Sequence, residues 1–424
     1  MQIARSKTAA ATTAPIRRWS VFIAGVLVIL AVGGSRMGYS VFIEPLASHF
    51  GWNRAAAALP YSLMVLGWGF SQPIMGRLID FYGPKKIIFI SSMLGAVALF
   101  VAATVTQLWQ LSLVFVLLLG VSTAGSTTTA FNMLLAPYFS DRQRAKVFAT
   151  NLATVPGSVL LFAPMAFAII TRWGWRQAFL ALGLMVVLCL PVILAFLRDH
   201  PETKARVQEQ AGKKMHLGVF LRQMVADAHQ SLSFRPFRYI FLAYFSCGFA
   251  SFFFLGHIAA LTTSVGFTPA QGATAAALSG VVGAAGAFIF GALADRYYRA
   301  NILSLTYLSR ALGFLLLANF TTDNISVFYL LILVAGLPIY GGGAITNTMV
   351  YEMFRDRGAG MLMGLVFTMH QIGGFIGVFA GGLFFDLFGG YGLILWLTSA
   401  VLIVSTILSY RAGRMLRTVG GRAA

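Results

Sequence analysis

Apolar stretches of about 20 residues recur from Val21 almost to the C-terminus, and nothing else in this chain restricts its fold as much. A helix rises 1.5 Å per residue, so such a stretch crosses the ~30 Å hydrocarbon core of a bilayer. No water is available there to satisfy backbone amides, which leaves the helix as the form these segments can take. Composition agrees. Hydrophobic residues make up 58% of the 424 and charged residues 10%, against roughly 25% charged in a soluble domain. The fold class that follows is an all-α, multi-pass membrane protein.

Twelve transmembrane helices are predicted, near residues 19–43, 55–76, 87–106, 109–136, 146–170, 175–197, 238–262, 270–294, 301–320, 325–350, 359–385 and 390–410. They divide the chain into a tail (1–18), a six-helix bundle (19–197), a central loop (198–237), a second six-helix bundle (238–410) and a tail (411–424). Arg5, Lys7, Arg17 and Arg18 precede the first span. Its length, without a small-residue cleavage site after it, reads as a retained helix rather than a leader. In the central loop, Leu217, Phe220, Leu221, Met224 and Val225 recur at helical spacing, which predicts an amphipathic surface helix.

A formal charge of +19 invites a nucleic-acid reading, but its distribution excludes one. On the twelve-span topology, 26 of the 31 Lys and Arg fall in the tails, the central loop and the hairpin ends on that same side. Only Arg54, Arg172 and Arg176 fall opposite, and Arg36 and Arg310 lie within spans. This is the positive-inside pattern, with basic groups meeting anionic lipid and both termini cytoplasmic. Cys189 and Cys247 read as small core residues without a disulfide, and the six histidines form no metal motif. No metal, cofactor or enzymatic activity is expected, and no Walker sequence supplies ATP energy.

Charge is concentrated in GRLIDFYGPKK, residues 76–86, between spans two and three. Gly76, Arg77, Asp80, Gly83, Lys85 and Lys86 are the candidate gating residues there. Asp80 is placed to pair with basic groups or to cap a neighbouring helix, and Gly76 is expected to let two helices approach closely. Gly291, Asp295 and Arg296 repeat the element 215 residues later, between spans eight and nine. Two copies at matching places indicate an internal repeat, and a duplicated latch suits a gate.

The loop motif, the six-plus-six plan and the basic central loop resemble the major facilitator superfamily of secondary transporters. Tyr39–Leu46, Phe50–Arg54, Gly174–Phe179, Gly381–Asp386 and Gly389–Tyr391 resemble its monocarboxylate transporter and oxalate–formate antiporter branch. The match is incomplete. The resemblance leads one to look for an arginine in span eight, which here has no charge before Asp295, and for a basic residue in span eleven, where His370 stands.

Arg310 and Arg36 are the most informative residues. An arginine at a helix centre costs roughly 2.5–3.5 kcal/mol on insertion scales and faces protein or a watered cavity. Neither has an evident intramembrane carboxylate partner, so an organic anion could supply the missing charge, and a guanidinium fork suits a carboxylate. Asn132, Tyr340, Asn347 and His370 are further substrate-binding candidates, with His370 also a candidate for proton coupling.

The sequence therefore reads as a monomeric secondary transporter of a small, monocarboxylate-like organic anion in a bacterial inner membrane. It would work by alternating access, with a proton or a counter-anion as second partner. The rival readings are transport of an uncharged or cationic solute, including drug efflux, and a transport-inactive receptor.

Overall fold

The computed structural model describes residues 15–210, 217–320, 323–354 and 359–420, and every regular element among them is helical. The first half contains α1 (Pro15–Met37), a 3-10 turn (Tyr39–Val41), α2 (Ile43–Phe50), α3 (Arg54–Tyr82) and α4 (Pro84–Ala102). It continues with α5 (Leu108–Leu113), a π-helical stretch (Val114–Leu119), α6 (Gly120–Gly125), α7 (Thr128–Leu135), α8 (Asp141–Trp173) and α9 (Trp175–Phe196). Two polar helices follow, α10 (Pro201–Gln210) and α11 (Leu217–Ser233). The second half contains α12 (Arg235–Ser264), α13 (Pro269–Arg296), α14 (Arg299–Asn319), α15 (Ile325–Gly336), α16 (Gly341–Met353), α17 (Ala359–Phe388) and α18 (Gly392–Gly420).

Eleven helical segments among the described residues are long and apolar enough to cross a membrane. The expected second span lies in α3, which has 29 residues but is not one of the eleven, because Gln72, Arg77 and Asp80 interrupt its apolar run. Three expected spans are broken, the one near 19–43 because α1 ends at Met37 and the chain goes on as the 3-10 turn. The one near 109–136 contains the π-helical stretch, and the one near 325–350 is interrupted around Pro338, whose ring removes an N–H and clashes with the preceding turn. Leu27, Leu117, Leu161, Leu184 and Leu188 are exposed apolar side chains, as lipid contact requires. The predicted amphipathic helix is present as α11, with Val225 exposed; the side chains of Leu217, Phe220, Leu221 and Met224 lie outside the described residues.

Two seams join the halves: α17 packs along α3, and α13 along α8. Within the second half α17 also packs along α12. The Gly373, Gly377 and Gly381 series is what permits that last approach. A Cβ on Gly373 would lie 2.0 Å from the Phe245 carbonyl oxygen, and one on Gly377 2.2 Å from that of Phe249. Gly34 is equally constrained, since its Cβ would fall 2.2 Å from Phe162. Gly76 departs from expectation. A Cβ there meets nothing within 4 Å, and the same holds at Gly291, so neither glycine serves close helix packing.

Candidate functional site

Arg36 ends α1 almost fully buried, with 3% of its surface exposed. Its Nη1 donates to Thr123 Oγ1 at 3.3 Å, its guanidinium carbon lies 5.9 Å from the Trp68 ring centre, and its Nε has no partner among the described residues. Thr123 is on α6, just past the π-helical stretch. Arg310, on α14, is completely buried. Its Nη1 donates to Cys247 Sγ at 3.2 Å, and its Nη2 to Ser251 Oγ at 2.9 Å and the Cys247 carbonyl at 3.3 Å. Arg310 Nε also lacks a partner among the described residues. Neither guanidinium forms an ion pair with a described carboxylate.

Tyrosines connect the two. Tyr61, on α3, stacks on Tyr39 with ring centres 5.1 Å apart, and lies within electrostatic reach of both Arg36 and Tyr340. Tyr340, between α15 and α16, is within reach of Arg310, and its hydroxyl is buried with no hydrogen bond among the described residues. Arg36, Tyr61, Tyr340 and Arg310 are thus buried electrostatic neighbours drawn from both halves. His370 sits on the Arg310 side of this group. His370 Nδ1 is 2.8 Å from Gln371 Oε1, its ring centre is 4.6 Å from that of Tyr244, and it reaches the Cys247 thiol as well.

Of the sequence candidates, Arg36, Arg310, Tyr340 and His370 are brought together in this way. Asn132 is not; its Oδ1 accepts from Asn151 Nδ2 at 3.0 Å between α7 and α8. Asn347 is partly buried on α16 and makes no side-chain hydrogen bond among the described residues. Cys247, Ser251, Thr123 and Trp68 were missed. Cys247 looked like core filling, and only the fold, which sets Arg310 63 positions away against it, reveals a polar contact.

The charged motif is organised differently from its sequence. Gly83, with φ of +84°, turns the chain into α4. The carboxylate that caps α4 is Asp199, whose Oδ1 accepts from Lys85 N at 3.0 Å, while Lys85 Nζ donates to the Leu194 carbonyl at 2.9 Å. Burial raises the Asp199 carboxyl above the usual carboxylate range, opposed by the Lys85 amide and by the charges of Lys204 and Lys85. Asp80 instead lies near Arg206 and Arg77. Arg77 lies over Phe81 at 4.9 Å and Lys86 over Tyr82 at 5.2 Å. In the second copy Asp295 and Arg296 are exposed, with Arg296 5.8 Å from the Tyr297 ring centre. Arg299, the basic residue beyond them, pairs with Glu352, and Tyr298 Oη donates to the Gly413 carbonyl at 2.8 Å. None of these contacts joins the two halves: those of the first copy stay within the first half or tie Asp199 and Arg206 of the central loop to it, and those of the second stay within the second half.

The opposite end is closed across the seam. Asp386, near the end of α17, accepts from Arg54 N at 2.9 Å and Ala55 N at 2.7 Å at the start of α3. The Arg54 guanidinium lies 3.6 Å from the Phe385 ring centre and pairs with Glu44 at 3.1 Å. Gly382 permits the approach, since its Cβ would sit 2.6 Å from Ala55 Cα. The halves are therefore latched at the Arg54 end, and the latch faces away from α10 and α11.

The comparisons with known proteins agree with this architecture. The D-xylose–proton symporter crystal structure superposes with a TM-score of 0.72 over 93% of this chain and 97% of that one, at 14% identity, a likeness of fold alone. An uncharacterized MFS-type transporter, YcxA, of Bacillus subtilis is 25% identical over 94% of both chains. A probable sulfoacetate transporter, SauU, of Cupriavidus necator is 24% identical over 88% of this chain and 89% of its own. Monocarboxylate transporter 13 of Rattus norvegicus is 25% identical over 88% of this chain and 83% of its own. The profile of the Major Facilitator Superfamily matches residues 25–255 and 240–418, and the chain belongs to that superfamily: a multi-pass membrane secondary transporter of a small organic molecule, and not an enzyme.

Proposed function

We propose that the transported molecule is a small organic anion, carried by alternating access between two six-helix bundles, 19–197 and 238–410, of a twelve-span chain with cytoplasmic termini. The observation that carries this reading is the pair of buried arginines. Arg36 and Arg310 come from different halves, have no described carboxylate partner, and each retain a buried N–H without an acceptor. A buried charge is costly unless it is compensated. A carboxylate held between Arg36 and Arg310, with Tyr61 and Tyr340 donating from the sides, would supply that compensation. Relatives named for sulfoacetate and monocarboxylates support the same class.

In this conformation the Asp386 latch closes the Arg54 end, which the positive-inside pattern assigns to the outside, and alternating access then requires the cytoplasmic end to open and close in turn. Asp80, Arg77, Asp295 and Arg296 are the groups that would exchange partners when that end closes in turn. The test is uptake into proteoliposomes of a labelled panel of mono- and dicarboxylates, sugars and organic cations, with and without an imposed pH gradient. Saturable uptake confined to carboxylates supports the proposal. Uptake of a cation or sugar without competition by carboxylates would replace it.

A further inference from the structure

Cys247 is 2% exposed and lies in a group of four ionisable neighbours. Arg310 and Tyr307 face it from α14, His370 from α17 and Tyr244 from its own helix, with Tyr340 facing Arg310 from the turn before α16. No described carboxylate joins them. A guanidinium has only donors, so at 3.2 Å the Cys247 sulfur must accept from Arg310 Nη1, and any thiol proton points elsewhere. The candidate recipient is His370. The Gln371 amide oxygen can only accept, so the hydrogen between it and His370 Nδ1 belongs to the ring, and in the neutral imidazole Nε2 is then the acceptor. His370 is held against this stretch of α12, because a Cβ on Gly248 would lie 1.7 Å from the His370 carbonyl oxygen.

We propose that Cys247, with His370 as its proton partner, is the site at which a proton is taken up or released as an anion occupies Arg310. The idea rests on the reading that Arg310 receives the transported carboxylate. With the site empty, the Cys247 proton passes from sulfur to His370 Nε2 and on to water, and the thiolate compensates Arg310. An arriving carboxylate takes over Arg310, the displaced thiolate accepts a proton through His370, and the S–H bond re-forms. One proton is gained for each anion bound, so anion and proton move together and the site's net charge is the same before and after. A thiol can act in this way where a serine cannot, because a thiol is by far the stronger acid of the two.

The experiment starts from Cys189→Ala protein, in which Cys247 is the only thiol left of the chain's two cysteines. The rate of its alkylation by N-ethylmaleimide is followed by mass spectrometry from acid to alkaline pH without substrate. The proposal requires the midpoint to rise by about one pH unit or more, a tenfold slower reaction at neutral pH, in both Arg310→Gln and His370→Gln. The second measurement compares carboxylate accumulation driven by a pH gradient with exchange at equal pH. In Cys247→Ser the ratio of the first to the second should fall by about tenfold, one pH unit's worth of driving force. Alkylation profiles that coincide in all three proteins overturn the proposal even if carboxylates bind at Arg310. An unchanged accumulation-to-exchange ratio in Cys247→Ser overturns it as well. Absence of any carboxylate binding by the parent instead overturns the reading of Arg310.

Discussion

Asp386→Ala should open the Arg54 end of the protein without weakening its fold. Asp386 accepts from two backbone amides of α3, at 2.9 and 2.7 Å, and does so from the other half of the chain. Helix α3 already has its own cap, Asn53, whose Oδ1 accepts from Ala56 N at 2.9 Å. When the halves separate at this end, Asn53 stays with α3 and Asp386 leaves it. A side-chain cap contributes about 1 kcal/mol, with a range of roughly 0.5–2. A carboxylate at the positive end of a helix belongs in the upper part of that range, but Asp386 is exposed, which argues for the middle. Loss of about 1 kcal/mol from the closed state alone multiplies the open-to-closed ratio about fivefold. Asn53→Ala should cost about as much in both states, lowering the Tm while leaving the ratio in place. Spin labels on cysteines replacing exposed Ser48 and Leu387, in protein carrying both Cys189→Ala and Cys247→Ala, report the separation of the two halves. A longer-distance population that grows in Asp386→Ala and not in Asn53→Ala is the expected result. Equal distributions in Asp386→Ala and the parent, or equal shifts in both variants, would refute a latch across the seam.

Other consequences are equally direct. Gly377→Val should abolish the folded protein recovered by gel filtration, since even a Cβ there would come 2.2 Å from the Phe249 carbonyl oxygen, whereas Gly76→Ala meets nothing within 4 Å. Replacing glycine by alanine inside a helix stabilises it by roughly 0.5–1 kcal/mol, so Gly76→Ala should raise the Tm. Asp199→Ala should lower the Tm more than Asp80→Ala, by the cap's worth of about 1 kcal/mol, because Asp199 and not Asp80 bonds the first turn of α4. His370→Gln, which removes the proposed proton partner of Cys247, should flatten the pH dependence of carboxylate uptake, which initial rates across a pH series would show.

Much of this protein is legible in its sequence because a bilayer imposes strong rules. Helix length, apolar runs and the placement of Lys and Arg suffice to identify a multi-pass helical protein. The short segments that suggested a transporter subfamily also prove spatially related. Residues 50–54 and 381–391 meet at the latched end, where Arg54 touches Asp386 and Phe385. Residues 174–179 lie beside them, with Arg176 3.3 Å from His49 and Trp175 against Phe50. What local pattern does not disclose is choice of partner. Asp80 is adjacent to Lys85 and Lys86 in sequence, yet the capping carboxylate comes from Asp199, 114 positions after Lys85. Gly76 and Gly377 look alike in sequence, and only packing tells that one faces open space and the other a carbonyl oxygen. Cys247 was unremarkable until the fold set a guanidinium and an imidazole against it.

The central claim is that Arg36 and Arg310 together receive a carboxylate, and equilibrium binding to purified protein tests it most directly. The carboxylate that gives the highest proteoliposome uptake is titrated calorimetrically into the parent, Arg36→Gln, Arg310→Gln and the two lysine variants. A hydrogen bond to a charged group is worth roughly 1.5–3 kcal/mol, so each glutamine variant should bind about tenfold or more weakly. Lysine should recover only part of the loss, because it lacks the planar fork. Affinity equal to the parent's in both glutamine variants, with all five proteins folded, would contradict the account and make the two arginines helix-packing residues.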